Sequence, residues 1–422
     1  MPTLITFGAM AARAFGATSA LREAYWGLKV GTTGESWYGQ DCAIDGSGNY
    51  IVTGYSLISG QYRNYIAKYS SAGVVTWASY FGAAAATSRT GFVSVDLSNN
   101  IYAYFNVAPD AYIVKYNSSG TVQWQRKLTN VYPGKFGLDS SANIYLAAVP
   151  GSLTSTTTIV KYDTAGTILA SASSTTAQGA TQRYAMRSVA VDSSGNCYLF
   201  YSSFTDLLCC GFFAYAAITK LNSSLAWQWS RYTSDALGLA GYLFINSSGA
   251  PYALSEPGSA GRLTAFDTSG TVTASASFPE LYSAYGADAS GNVYVVSPNA
   301  SGTNTFIKLN SSLTVQWQRA FSATGQTVQS TTSVIGSTTV LVSSGVSTAT
   351  NVYAQAYRLP TSAPTTGTFS PYTIAAGAVT VGTTARTWAS RTDTWSSAGV
   401  TDSAGAITST SFTPTTTLVN FT

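Results

Sequence analysis

Two short motifs alternate along most of this chain, and their spacing limits it to a repeat architecture. The first is an Asp that ends one apolar strand, then a Ser/Gly/Asn turn and a second strand. Its copies are DGSGNYIV (45–52), DLSNNIYA (96–103), DSSANIYL (139–146), DSSGNCYL (192–199) and DASGNVYV (288–295), with a worn copy NSSGAPYA at 246–253. Asp45, Asp96, Asp139, Asp192 and Asp288 suit this place because a carboxylate accepts hydrogen bonds from N–H groups two residues on, while Gly or Asn takes the positive-φ position. The residues that follow alternate β-branched and Tyr, as a half-buried strand does.

The second motif follows each first one: IAKYSSAGVVTW (66–77), IVKYNSSGTVQW (113–124), IVKYDTAGTILA (159–170), ITKLNSSLAWQW (218–229), LTAFDTSGTVTA (263–274) and FIKLNSSLTVQW (306–317). Trp77, Trp124, Trp229 and Trp317 share one position, held by Ala170 and Ala274 in the other copies. A Trp that returns once per unit predicts packing between neighbouring sheets rather than ligand contact.

Positions 68 and 358 bracket six intervals in 290 residues, about 48 per unit, which is the range of four-stranded propeller blades. The last unit, 332–359, supplies three strands before Pro360 and Pro364. Its missing strand has a candidate at the other end of the chain, because AYWGLKV (24–30) aligns with VQWQRKL (122–128), Trp26 on Trp124. A ring left open would expose strand edges, and an N-terminal strand removes them. The sequence therefore predicts an all-β fold: a seven-bladed β-propeller of four-stranded antiparallel blades over 24–364, closed by an N-terminal strand.

These segments resemble the SBBP-type β-propeller repeats of bacterial surface and phage proteins, a likeness covering roughly 24–360. The likeness implies the fold and leaves function open. The opening ITFGAMAARAFG resembles the N-termini of phage virion proteins, especially tail-associated ones. The Thr-rich stretch 365–422 resembles the C-terminal parts of phage fibre-like proteins, and reads as a small β appendage because Tyr372, Trp388, Trp395 and Phe412 give it something to bury. Residues 1–20 read as a separate N-terminal anchor segment. They lack the basic n-region of a secretory signal, and 9–15 could form about two helical turns. Phe7 and Phe15 flank its small residues and Arg13 offers a fork of donors, a composition suited to docking on another virion subunit.

Charged residues make up only 9% of the chain, and the net charge of +4 is scattered without a basic stripe. Nucleic-acid binding is therefore not expected. No apolar run reaches the length of a membrane-spanning helix. The chain has no histidine, which removes His triads and His metal sites. Its four cysteines (42, 197, 209, 210) form no CxxC pair, and Cys42 and Cys197 sit in strand patterns as buried thiols. Asp206, Asp235, Glu256 and Glu280 lie near variable segments, but no spacing joins two of them as a glycosidase requires. One carboxylate per turn also falls short of a calcium loop. No enzyme activity, metal or cofactor is expected.

In a four-stranded meander the first and third connections share one face. Those turns are short and uniform here, so that face reads as scaffold. The opposite face carries the second connection and the link to the next blade, expected to be long variable loops that carry function. The candidates on it are Tyr55, Tyr62, Arg63, Phe81, Arg89, Arg183, Tyr184, Phe204, Phe212, Phe213, Tyr282 and Tyr285. Exposed aromatics with a few Arg suit a glycan or protein surface. Together with the resemblances, this points to a structural phage virion protein, tail-associated or fibre-like, presenting a propeller face to a host surface or another virion subunit. The alternative is a bacterial surface or secreted propeller that binds glycan or protein.

Overall fold

Each repeat begins at its Asp turn. Asp45 Oδ1 accepts from the N–H groups of Ser47 and Asn49, each at 2.9 Å, and its Oδ2 accepts from the Asn49 side-chain amide at 2.9 Å. The same three bonds recur at Asp96, Asp139, Asp192 and Asp288. They satisfy the turn's backbone donors locally and leave the flanking strands free to pair. The computed structural model describes residues 26–30, 36–85, 91–107, 109–129, 131–150, 157–174, 182–207, 211–233, 241–255, 261–279, 283–298, 303–323, 327–335, 339–347, 352–360, 362, 366–369, 372–377, 389–391, 395–397, 403–404, 409–411 and 416–420. The proposed anchor with Phe7, Arg13 and Phe15, together with Arg89 and Tyr282, lies outside them.

The described strands pair into seven antiparallel sheets, each built on a four-stranded meander. Six of these meanders are continuous in the chain. Blade 1 comprises Ser36–Ile44, Tyr50–Ile58, Gln61–Tyr69 and Val75–Ala85. Blade 2 comprises Gly91–Val95, Ile101–Val107, Asp110–Tyr116 and Val122–Leu128. Blades 3 to 6 begin with Val131–Leu138, Gln182–Val191, Gly241–Ile245 and Ser283–Ala287. The last sheet is composite. Thr327–Ile335, Thr339–Ser347 and Val352–Pro360 pair in order, and Trp26–Val30 completes the meander, Trp26 opposite Arg358. First strands of successive sheets pack side by side, and Thr327–Ile335 packs back beside Ser36–Ile44, so the first strands line a central channel.

The C-terminal stretch is not the separate appendage its composition suggests. Its short strands run backwards round the propeller and add an outer strand to one blade after another. Tyr372–Ala376 pairs on blade 6, Ala389–Arg391 on blade 4, Trp395–Ser397 on blade 3, Ser403–Ala404 on blade 2, Ser409–Ser411 on blade 1, and Thr416–Asn420 on Trp26–Val30 of the composite blade. Segments of two to five residues cannot build a core of their own, whereas every blade offers an outer edge with unpaired backbone groups. Ser390, Ser396, Ser403, Thr410 and Leu418 mark the pairing sites, six to eight residues apart. At about 3.3 Å per residue in extended chain, such a spacing can reach at most roughly 20–26 Å.

Neighbouring blades are latched on the face that carries the Asp turns. Lys115 Nζ and Trp124 Nε1 both donate to the Thr164 carbonyl of the next blade, at 3.0 Å each. Lys68 and Trp77 treat Ser118 the same way, and Lys220 and Trp229 treat Thr268 so. Beneath the Lys115, Lys161, Lys220 and Lys308 ammonium groups lies a Tyr ring, as with Lys161 Nζ 4.8 Å from the Tyr145 centroid, while Lys68 pairs Asp45 at 2.8 Å. Among the six continuous blades, blade 5 lacks both ionic partners, having Asn246 and Ala265 where the other five have Asp and Lys. Cys42 and Cys197 are buried thiols outside any disulfide; burial, helped by Asp192, pushes the Cys197 thiol well up.

Candidate functional site

In blades 1 and 4 the described residues on the face opposite the Asp turns form long strand hairpins in place of the expected loops. In blade 1 the second connection is the two-residue turn Ser59-Gly60, both at positive φ (51° and 76°), the geometry that matches strand twist in a tight hairpin. Tyr55, Tyr62 and Arg63 are therefore strand residues, in register as Tyr55↔Asn64, Ser56↔Arg63 and Leu57↔Tyr62. Blade 4 has the other long hairpin, Cys197–Leu207 with Gly211–Leu221. Arg183 pairs Phe204 there, and Phe212 and Phe213 pair Asp206 and Thr205. Tyr184 and Tyr285 lie on first strands. Of the carboxylates weighed for catalysis, Asp235, Glu256 and Glu280 lie outside the described residues. Phe81 leaves the set of surface candidates altogether: it is fully buried and stacks on Phe105 of blade 2 at 4.7 Å.

Alternation along blade 1 sorts the rest onto two sides. Thr53 and Asn64 face blade 2, where Thr53 Oγ1 donates to the Gly91 carbonyl (3.0 Å) and Asn64 Nδ2 to the Asn106 carbonyl (2.6 Å). Tyr55 and Tyr62 stand two residues further up the same side of their strands. Tyr38 joins them from the first strand, paired with Tyr55 in register and stacked on it at 4.4 Å with 19° between planes. Tyr62 meets Tyr55 edge-on at 5.8 Å. All three rings are half-buried. They form one wall across three strands, rising above the shorter hairpin of blade 2.

At the top of blade 2, Asp110 and Lys127 lie on the side of the sheet where Tyr112 meets Phe81 of blade 1. Lys127 Nζ sits 2.6 Å from Asp110 Oδ2, and Asn106 Nδ2 donates to the Asp110 carbonyl at 3.4 Å. The hydrogen bond with Asp110 raises the Lys127 ammonium above its usual range. Arg63 goes the other way and lies over the Tyr80 ring at 5.5 Å, beside the buried Trp37. The structure thus brings together Tyr55 and Tyr62 of the expected residues and separates Arg63 from them. Sequence reasoning missed Tyr38, Asn106, Asp110 and Lys127. Tyr38 carried a signal, since its strand alternates towards the same turn as Tyr55, but its register with Tyr55 was not legible.

A second cluster lines the channel. Lys135 lies in a bulge of blade 3: Gly134 and Lys135 fall between Pro133↔Ala148 and Phe136↔Leu146. A bulge re-aims the side chain it carries. Lys135 reaches Asp41 of blade 1 (3.6 Å) and the Tyr242 ring of blade 5 (5.6 Å). Asp41 itself stands next to a bulge and accepts from the Val93 N–H of blade 2 at 3.0 Å. Burial works to lower the Lys135 ammonium, but Asp41 together with Tyr242 and Cys42 outweighs it and the net shift is upward. Four blades are tied across the channel by these three side chains.

The first described strand starts, and the last one finishes, on the face opposite the tyrosine wall. Trp26 pairs Arg358 in the register that Trp124 has with Lys115, which puts the start of Trp26–Val30 on the Asp-turn face. Trp26 also pairs Asn420, so the last strand finishes on that face too.

No known protein family matches the chain by sequence, and no curated protein does so either. Among solved structures the Dos1 propeller is similar, with 12% identity, a TM-score of 0.50, and 78% of this chain and 94% of that one covered. The polysaccharide lyase Uly1 superposes at 10% identity and a TM-score of 0.49 over 79% of this chain and 98% of that one. Drosophila Plexin A, in complex with Semaphorin 1b, does so at 9% and 0.42, covering 79% and 86%. The similarity to the Dos1 propeller at this identity concerns architecture alone, and the chain has the fold of a β-propeller of four-stranded antiparallel blades.

Proposed function

We propose that this chain is a structural, non-enzymatic binding module of a phage virion, tail-associated or fibre-like, attached through its N-terminal segment and presenting the long-hairpin face outward to a host surface. The observation that carries this reading is the opposition of the two faces. The strand that follows the N-terminal segment enters on the Asp-turn face, while the tyrosine wall lies at the far end of the blades. The Asp-turn face is consumed by Lys, Trp and Asp contacts that hold blades together, which leaves the hairpin face for recognition. The virion setting draws on the resemblance of the first residues and of the Thr-rich C-terminal stretch to phage proteins. Phe7, Phe15 and Arg13 are the residues assigned to docking on a neighbouring subunit. Mass spectrometry of purified particles tests the setting: the protein is expected among virion components, and recovery only in cell-envelope fractions would favour a bacterial surface propeller instead. Phe7→Ala with Phe15→Ala should leave a folded propeller but particles that lack it.

A further inference from the structure

We infer that the groove between blades 1 and 2 is a saccharide subsite for an uncharged sugar chain, a statement that rests on the hairpin face being the binding face. One wall is aromatic. Tyr38, Tyr55 and Tyr62 come from three adjacent strands, with centroid steps of 4.4 and 5.8 Å. Stacked and edge-on neighbours hold the rings in place, so little rotamer freedom remains to be lost on binding. Half-buried tyrosines combine an apolar ring with a polar hydroxyl end, the same pairing that a pyranose presents in its C–H face and hydroxyl rim. The wall has the reach of a disaccharide.

The opposite shelf supplies hydrogen-bonding groups without net charge. Asp110 and Lys127 neutralise each other at 2.6 Å. A sialylated or uronate-bearing chain would place its carboxylate beside an ammonium already held by Asp110. Arg63, the nearest exposed cation on the hairpin, lies on the other side of the sheet over Tyr80. A neutral chain meets no such conflict: its hydroxyls can both donate to Asp110 and accept from Lys127. Desolvating an unpaired carboxylate is costly, so selectivity against acidic sugars follows from the paired shelf.

The test uses the full chain on a printed array of neutral, sialylated and uronate-containing oligosaccharides, followed by titration of the neutral disaccharides that are retained. Neutral sugars are expected to bind in preference to acidic ones. Tyr62→Ala should weaken them about tenfold, Tyr62→Phe should keep them, and Arg63→Ala should change nothing. In case Tyr62→Ala does not fold, saturation transfer on the wild-type protein provides the same answer: irradiating tyrosine ring protons should saturate sugar C–H protons. Binding of acidic sugars alone, or retained affinity in folded Tyr62→Ala, overturns the subsite. So does protein that is present in particles and holds cells only while their surface proteins are intact, an outcome that leaves the attachment role standing. Absence from particles would instead count against the virion role, whatever the array shows.

Discussion

Gly166 lies under the indole of Trp124, and a Cβ at Gly166 would stand 3.1 Å from Trp124 Cδ2. The same fit joins Gly120 to Trp77 and Gly270 to Trp229 across neighbouring blades. Where the Trp is replaced by Ala170, the facing turn of the next blade carries Leu225 instead of Gly; where it is replaced by Ala274, it carries Leu313. Both leucines adopt φ near +60° (63° and 61°), a conformation that costs roughly 1 kcal/mol or more for a residue with a Cβ. They are buried, and the apolar area they cover offsets that strain. Volume is conserved at these five blade contacts by trading a large residue from one side to the other.

That exchange can be tested as a cycle. Trp124→Ala should cost about 2–3 kcal/mol, below the roughly 3–5 of a fully buried ring because Trp124 is half-buried. Gly166→Leu alone should destabilise by overpacking against the indole. The double variant reproduces the Ala170–Leu225 contact and should recover most of the loss, so urea denaturation of all four proteins would show strong coupling. Additive effects would contradict a volume exchange.

Both ends of the chain meet in one sheet, with Trp26–Val30 between Val352–Pro360 and Thr416–Asn420. Removing residues 1–31 exposes two edges at once, and aggregation or a large fall in melting temperature is expected. Truncation after residue 364 should act more mildly on each blade but on several together, showing as increased self-association in sedimentation. A fully monomeric truncated protein with the parent's melting temperature would mean that the outer strands are dispensable.

Lys135→Met removes the charge that reaches across the channel and the ammonium that lies 3.6 Å from Asp41. The pair is neither fully exposed nor sealed from water, so a loss of about 1–2 kcal/mol is expected, between the values for surface and buried ion pairs. Asp41→Asn with Lys135→Met should be less damaging than Lys135→Met alone, measurable by thermal unfolding.

Stability should be nearly constant from about pH 5 to 8, because the chain has no histidine to change charge there. In acid it should fall. Burial works to raise the Asp45 carboxyl, but Lys68 and Asn49 hold it below the ordinary 3.8, and Asp288 is likewise depressed. A depressed folded pKa contributes stability that is present above the unfolded value and is lost as pH drops through the folded one, so the decline belongs below about pH 4. Asp45→Asn should flatten that decline in melting curves taken from pH 5 downward.

The blade motif was legible in the sequence because its information is local. Asp139 and Asn143 close their turn through bonds two and four residues apart, and Tyr145 and Leu146 declare a strand by alternation. The closing strand was legible as well, since Trp26 aligns with Trp124 and carries the same register to its partner strand. The trade of Ala170 for Leu225 was present in NSSLAW but meant nothing until the two positions were seen to touch. What only the tertiary structure decided is the set of meetings between strands far apart in the chain. Composition marks Thr416–Asn420 as a strand but not as a partner for Trp26–Val30, because a free edge accepts any extended backbone. Tyr62 is a strand residue by pattern, yet whether its ring faces Asp110 or Arg63 turns towards Tyr80 depends on a two-residue turn and the period of the pleat. Register is set by packing across blades, and packing is not written in any one segment.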